Sequence, residues 1–187
     1  MHLTRSFLLL LIISGVADGG YIEQDKSVLM PLALGNYWTM NFRAPNVSGE
    51  MDRGELTIRV ITDSLVTGDQ WFYIVGGLLD DMWWANQSNG LNVRGDKYSG
   101  LLFKYPAEKG DIYPAIANSK VLVVETNRQI RVPAGTFSCY EYLHYDAGGN
   151  IRFFLAPDIG IVKVLFYGGE ESAVGEVELI EYSTKYQ

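Results

Sequence analysis

Apolar and polar residues alternate with a period of two along most of this chain, and no stretch of about ten residues carries a sustained 3.6-residue apolar stripe. In "NYWTMNFR", Trp38, Met40 and Phe42 point one way while Tyr37, Thr39, Asn41 and Arg43 point the other. In "ELTIRV", Leu56, Ile58 and Val60 alternate with Glu55, Thr57 and Arg59. Successive strand residues stand on opposite faces of a sheet, so both segments read as half-buried antiparallel strands. Further strands are expected at Trp71–Val75, Asp81–Gln87, Leu91–Arg94, Leu101–Tyr105, Val121–Thr126, Gln129–Val132, Thr136–Tyr145, Ile151–Leu155, Gly160–Tyr167 and Gly175–Ser183. That gives about ten to twelve strands, at the spacing common in sandwiches and barrels.

The links carry turn chemistry. "NQSNG" (Asn86–Gly90) and "DAGGN" (Asp146–Asn150) each suit a tight hairpin between neighbouring strands. In "VPAGTFSCYEY", Pro133 and Ala134 suit the centre of a type I turn, with Gly135 as the left-handed residue completing a bulged hairpin. The longest break, "PAEKGDIYPAIANS", holds one short helical turn at most.

Several strands are apolar on both faces, among them "WFYIV", "VLVV" and "IVKVLFY". No helices are patterned to cover the second face, as they would in a parallel α/β sheet. The expected architecture is therefore all-β: an antiparallel curled sheet or incomplete barrel with little helix.

The first residues, "MHLTRSFLLLLIISGVADGG", have the make-up of an export signal: Arg5, an apolar run from Phe7 to Ile13, then small residues. Residues 1–19 read as a signal peptide, cut after Ala17 or Gly19, and residues 20–187 as a single β-rich domain. The apolar run is shorter than the roughly 20 residues a membrane helix needs, so no transmembrane span is expected after its removal. The mature chain is expected outside the cytoplasm, in the periplasm or secreted. Removing Arg5 and Asp18 leaves the formal net charge at −7, which disfavours nucleic acid and anionic lipid.

Catalytic chemistry finds little support. Cys139 is the only cysteine, and His144 is the only histidine beyond His2. Five positions apart on one strand, their side chains face opposite ways and are separated by roughly 16 Å, so they cannot form a thiolate–imidazolium couple. Cys139 reads as a small core hydrophobe. A serine hydrolase would have to use His144, and no G-x-S-x-G element is present. So few His and Cys residues exclude the common zinc sets. Asp80, Asp81 and Asp96 lack the spaced acidic loop of a calcium site and read as solvated turn charges. No cofactor is expected.

The tryptophans carry more information. Trp71, Trp83 and Trp84 lie close in sequence with Tyr73 between them, and Trp83 and Trp84 must face opposite sides of their strand. "NVS" at Asn46 and "NQS" at Asn86 match the N-glycosylation acceptor pattern.

Four phrases in order, "MPLALGNYWTM", "LLFKYPAEKGD", "VPAGTFSCYEY" and "FFLAPDIGIVKV", resemble a group of exported bacterial β-proteins of unknown function. These are similar to the lipoprotein-localisation-factor-like half-barrel families. The resemblance covers about Met30 to Tyr182. The last phrase departs from the family's aromatic-Ala-Pro-Gly-x-Gly, with Asp158 replacing the first Gly. The resemblance implies a carrier, chaperone-like or scaffold domain and no catalyst. On this reading the chain is a non-catalytic exported binding domain whose apolar concave face takes a lipid, an apolar peptide or an envelope protein. Trp71, Tyr73, Trp84, Phe103, Phe154 and Phe166 are the expected lining groups. Burying a sixteen-carbon chain there would contribute on the order of 10 kcal/mol before entropy costs. The alternatives are a carbohydrate-binding module with Trp83 or Trp84 as platform, and a hydrolase using carboxylates.

Overall fold

The computed structural model describes residues 27–46, 48–77, 81–96, 98–146, 149–168 and 173–185. The expected signal peptide lies outside the described residues, as does the centre of the "DAGGN" turn. The strands are β1 (Tyr37–Pro45), β2 (Met51–Val66), β3 (Asp69–Val75), β4 (Met82–Gln87), β5 (Gly90–Arg94) and β6 (Ser99–Lys104). They continue as β7 (Ile112–Pro114), β8 (Lys120–Val132), β9 (Gly135–Asp146), β10 (Gly149–Ala156), β11 (Gly160–Tyr167) and β12 (Ala173–Ser183). All belong to one antiparallel sheet in the order β6-β5-β4-β3-β2-β1-β12-β11-β10-β9-β8-β7. Each strand thus pairs with its neighbours in sequence, β12 closes onto β1, and a single seam is left between β6 and β7. The sheet is a nearly closed barrel.

The alternation read from the sequence selects the inner face. Trp38 and Met40 on β1, Ile58 and Val60 on β2, Phe72 and Ile74 on β3, and Leu91 and Val93 on β5 are all buried. Register joins them across strands: Trp38 lies opposite Ile58, and Phe72 opposite Trp84, which in turn faces Val93.

Two elements differ from the sequence reading, and one expected hairpin gains detail. The segments expected at Val121–Thr126 and Gln129–Val132 form one strand, β8. The expected break at Asn127 and Arg128 is bridged because β9 supplies partners on both sides of it, and two register shifts between Val123 and Arg128 absorb the irregularity. Within the expected break, Ile112–Pro114 pairs with Leu122–Lys120 as a short edge strand, followed by a 3-10 turn at Ile116–Asn118. In "NQSNG" the turn centres on Ser88 and Asn89, and Gly90 opens β5 at φ 131°, where a Cβ would strike the carbonyl of Phe103.

A strap at residues 27–36 precedes β1 and enters the core, burying Leu29, Met30 and Leu32. Their burial contributes about 5–8 kcal/mol, less than the cost of fixing the backbone of the whole strap at roughly 1–2 kcal/mol per residue. Polar anchors therefore decide where the strap lies. Asp158 supplies one: its carboxylate accepts from Ser27 Oγ (2.7 Å) and Val28 N–H (3.0 Å), and its own N–H donates to the Val28 carbonyl (2.7 Å). Asp158 has φ 66°, the left-handed conformation glycine would favour, so these bonds account for an acid at a position suited to Gly. Asn86 Nδ2 donates to Met30 O (2.8 Å) as a second anchor. The absence of a side chain at Gly160 leaves room for Met30 and Trp38, since a Cβ there would lie 3.2 Å from Met30 Cγ and 3.3 Å from Trp38 Nε1.

Candidate functional site

Cys139 and His144 occupy opposite faces of β9, as their spacing requires. Cys139 is fully buried, and burial pushes its thiol up to about 12. His144 sits on the inner face, its ring edge-on to Phe103 (5.3 Å) and Phe153 (4.9 Å). Neither is placed to activate the other.

Among the described residues the most buried carboxylate is Glu141, 1% exposed and standing between two cations. Arg128 Nε donates to it at 3.0 Å and Arg152 Nη1 at 2.5 Å. Arg152 also lies over the Tyr167 ring at 5.5 Å. The triad ties the irregular middle of β8 to β9 and β10, and both carboxylate oxygens are engaged. Among the described residues no group of three or more His, Cys, Asp or Glu could hold a metal ion.

Side chains bridge the seam where strand pairing stops. The Lys104 N–H donates to the Tyr113 hydroxyl (3.0 Å), which donates to Leu102 O (3.4 Å). The Tyr142 hydroxyl donates to Lys104 O (2.7 Å). Burial raises both phenols above the ordinary tyrosine value, which keeps these protons in place as donors.

The six residues expected to line an apolar face divide among different surfaces. Trp84 and Phe103 are buried on the inner face, and Phe166, opposite Ile151, lies part-buried on that same side. Phe154 is buried on the reverse face of β10, opposite Glu141. Trp71 and Tyr73 point outward from β3, because their neighbours Phe72 and Ile74 take the inside.

What comes together instead is an outward row. Thr62, Tyr73, Trp83, Arg94 and Ser99 lie side by side across β2 to β6. The rings of Tyr73 and Trp83 are 5.2 Å apart and tilted by 54°. Trp71 stands two residues along β3 on the same face, half-buried. Ala85, also on that face, is fully buried, so larger side chains close over it. Parity alone says that Trp83 and Trp84 oppose each other, and packing decides that Trp83 is the outer one.

At the rim of this face, Gln87 Nε2 donates to Asp69 Oδ2 (2.5 Å), a contact between residues 18 apart in sequence that no motif signals. The same two residues line a cleft of about 730 Å³ between the strap, the β4–β5 hairpin and Tyr105–Pro106. Tyr105 Oη donates to Ser27 Oγ (3.2 Å) across it. Of the two glycosylation-pattern asparagines, Asn86 is held on the strap, and Asn46 organises its own turn by accepting from Ser48 and Glu50.

No protein-family model matches this chain, and no curated protein does. Among solved structures, a protein from Bacteroides fragilis NCTC 9343, described as exported and as having a YmcC-like fold, superposes with a TM-score of 0.53. The two are 15% identical, with 84% of this chain and 100% of the other covered. A protein from Parabacteroides distasonis ATCC 8503, described as a lipoprotein, gives a TM-score of 0.48 at 14% identity over 86% of this chain and 100% of its own. In fold, the chain is similar to a bacterial β-protein described as exported, and its architecture is YmcC-like.

Proposed function

We propose that this chain is an exported, non-catalytic binding or scaffold domain of the bacterial cell envelope or exterior, with its binding surface outside the barrel. The observation carrying the last point is the occupied interior. Trp38, Met40, Phe103, Tyr142, Leu155 and Leu179 are essentially inaccessible, and the strap's Leu29 and Met30 are buried with them. A lipid held in the lumen would have to displace these side chains. The non-catalytic reading rests on the employment of the reactive groups: Cys139 is buried, His144 is packed between rings, and Glu141 is clamped by two arginines. The export reading rests on the leader-like residues 1–19 and on the likeness to a fold found in a protein described as exported.

Expression in a Gram-negative host with fractionation tests this. The expected result is a periplasmic or secreted species whose mass begins at residue 18 or 20, with no turnover of model glycosides or esters. A full-length cytosolic species, or turnover abolished by one carboxylate substitution, overturns it. Native mass spectrometry of the same material checks the position of the surface, because a co-purifying lipid would return the ligand to the lumen.

A further inference from the structure

We propose that the outer face of β3–β5 binds an uncharged carbohydrate chain, with Trp71, Tyr73 and Trp83 as the stacking surface. This rests on the binding-domain reading above and names its ligand.

Three observations point to a sugar. The rings are half-buried on the outside of a barrel whose inside is already filled, so core packing does not require them there. Aromatic side chains combine an apolar face with polar edges, which is the surface a sugar ring matches. Neighbouring strands are about 4.8 Å apart, so Tyr73 and Trp83 make one continuous platform. Their 54° tilt makes it angled, which suits a chain that turns from one sugar to the next.

Hydrogen-bonding groups surround the rings. Arg94 is exposed directly beside Trp83, and Thr62 stands beside Tyr73. The amide–carboxylate pair of Gln87 and Asp69 sits where the face meets the cleft. Such groups would pair with hydroxyls flanking a stacked ring. The cleft continues the surface past the rim, which gives a polymer a path longer than one sugar. The net charge of −7 disfavours a strongly anionic polymer and selects uncharged chains.

A lipid surface fits less well. Aromatic residues do gather at membrane interfaces, but there they accompany an apolar band. Here the two rings are flanked by Thr62 on one side and by Arg94 and Ser99 on the other, with Asp69 at the rim.

The test uses the mature chain, residues 20–187, titrated with cellohexaose, maltohexaose and chitohexaose by calorimetry and tryptophan fluorescence. At least one should bind, and Trp83→Ala and Tyr73→Ala should each weaken it about tenfold or more while Tyr145→Ala, elsewhere on the barrel, leaves it unchanged. Trp83→Phe, which keeps a ring, should retain most binding and covers the case in which Trp83→Ala fails to fold. Binding to none of the three, or binding insensitive to both ring removals, overturns the proposal. Capture of phosphatidylethanolamine–phosphatidylglycerol vesicles that is lost in Trp83→Ala, without glycan binding, also overturns it but leaves a binding domain standing. Cleavage of a hexasaccharide instead overturns the non-catalytic reading beneath it.

Discussion

The Tyr142 hydroxyl donates a 2.7 Å hydrogen bond to the carbonyl of Lys104, joining β9 to the free edge of β6 across the one gap in the barrel. With Tyr113, which reaches the same β6 edge from β7, it does for Leu102 and Lys104 what a thirteenth strand would otherwise do. An edge closed by side chains offers fewer backbone groups to an incoming strand.

Tyr142→Phe keeps the ring and removes this bond, leaving a carbonyl without its partner. The expected cost is about 1–2 kcal/mol in urea unfolding. Hydrogen exchange at the Lys104 amide should rise further in the Tyr113→Phe/Tyr142→Phe double variant. Equal protection in wild type and double variant would mean the hydroxyls do not hold the seam.

Asn36 is 1% exposed and joins the two ends of the described chain. Its Nδ2 donates to Pro31 O (2.8 Å) and Lys185 O (3.1 Å), and its Oδ1 accepts from the Lys185 N–H (2.8 Å). Asn36→Ala should cost about 2–4 kcal/mol, because three bonds go and the buried Pro31 carbonyl is left without its partner. Asn36→Asp should be at least as harmful, since a carboxylate cannot donate to two carbonyls and its charge is buried. Chemical denaturation of the two variants gives the comparison, and a mild Asn36→Asp would show that the bond accepted from the Lys185 N–H is the one that matters.

Cys139 should resist modification in the folded protein. With its thiol pushed up to about 12, about one molecule in ten thousand is ionised at pH 8, and the sulfur is fully buried. Labelling by a disulfide reagent should follow the rate of unfolding and speed up with urea. Rapid stoichiometric labelling of native protein would contradict the burial.

Acid should loosen the segment from Glu108 to Asp111. The Lys104 ammonium beside Asp111, helped by the Glu108 N–H, holds its carboxyl below the ordinary value. Lys109 and the Thr126 N–H do the same for Glu125. For carboxyls lowered in the folded state, the stabilisation is complete above the unfolded values, about 4–4.5. It is lost as pH falls through the lower folded ones. Amide protection factors at Gly110 and Val123, which bond each other's strand through Val123 O and Asp111 O, should therefore fall below about pH 4. Lys104→Met should flatten that dependence near Asp111, and an unchanged profile would mean the ion pair contributes nothing there.

Much of the architecture is readable from strand parity. The period-two pattern identifies the faces of β1 and β2, separates Cys139 from His144, and sets Trp83 against Trp84, because alternation is a local property of extended backbone. The turns at Pro133–Ala134 and Pro157–Ile159 are local as well, and the glycines that follow them take positive φ. The closure of β12 on β1 was not written in any local pattern, nor was the unity of β8 across Asn127 and Arg128, which depends on β9 supplying partners. The residues expected to line a ligand face show the same limit. Parity places Trp71 and Tyr73 together, but it cannot say which face of a two-sided apolar strand becomes the inside. That is decided by curvature, which buries Phe72, Trp84 and Phe103 in one core cluster with the strap's Leu29 and Met30 and leaves Tyr73 beside Trp83 outside. The Gln87–Asp69 and Asp158–Ser27 contacts join residues 18 and 131 positions apart, and only the folded barrel brings such pairs within hydrogen-bond distance.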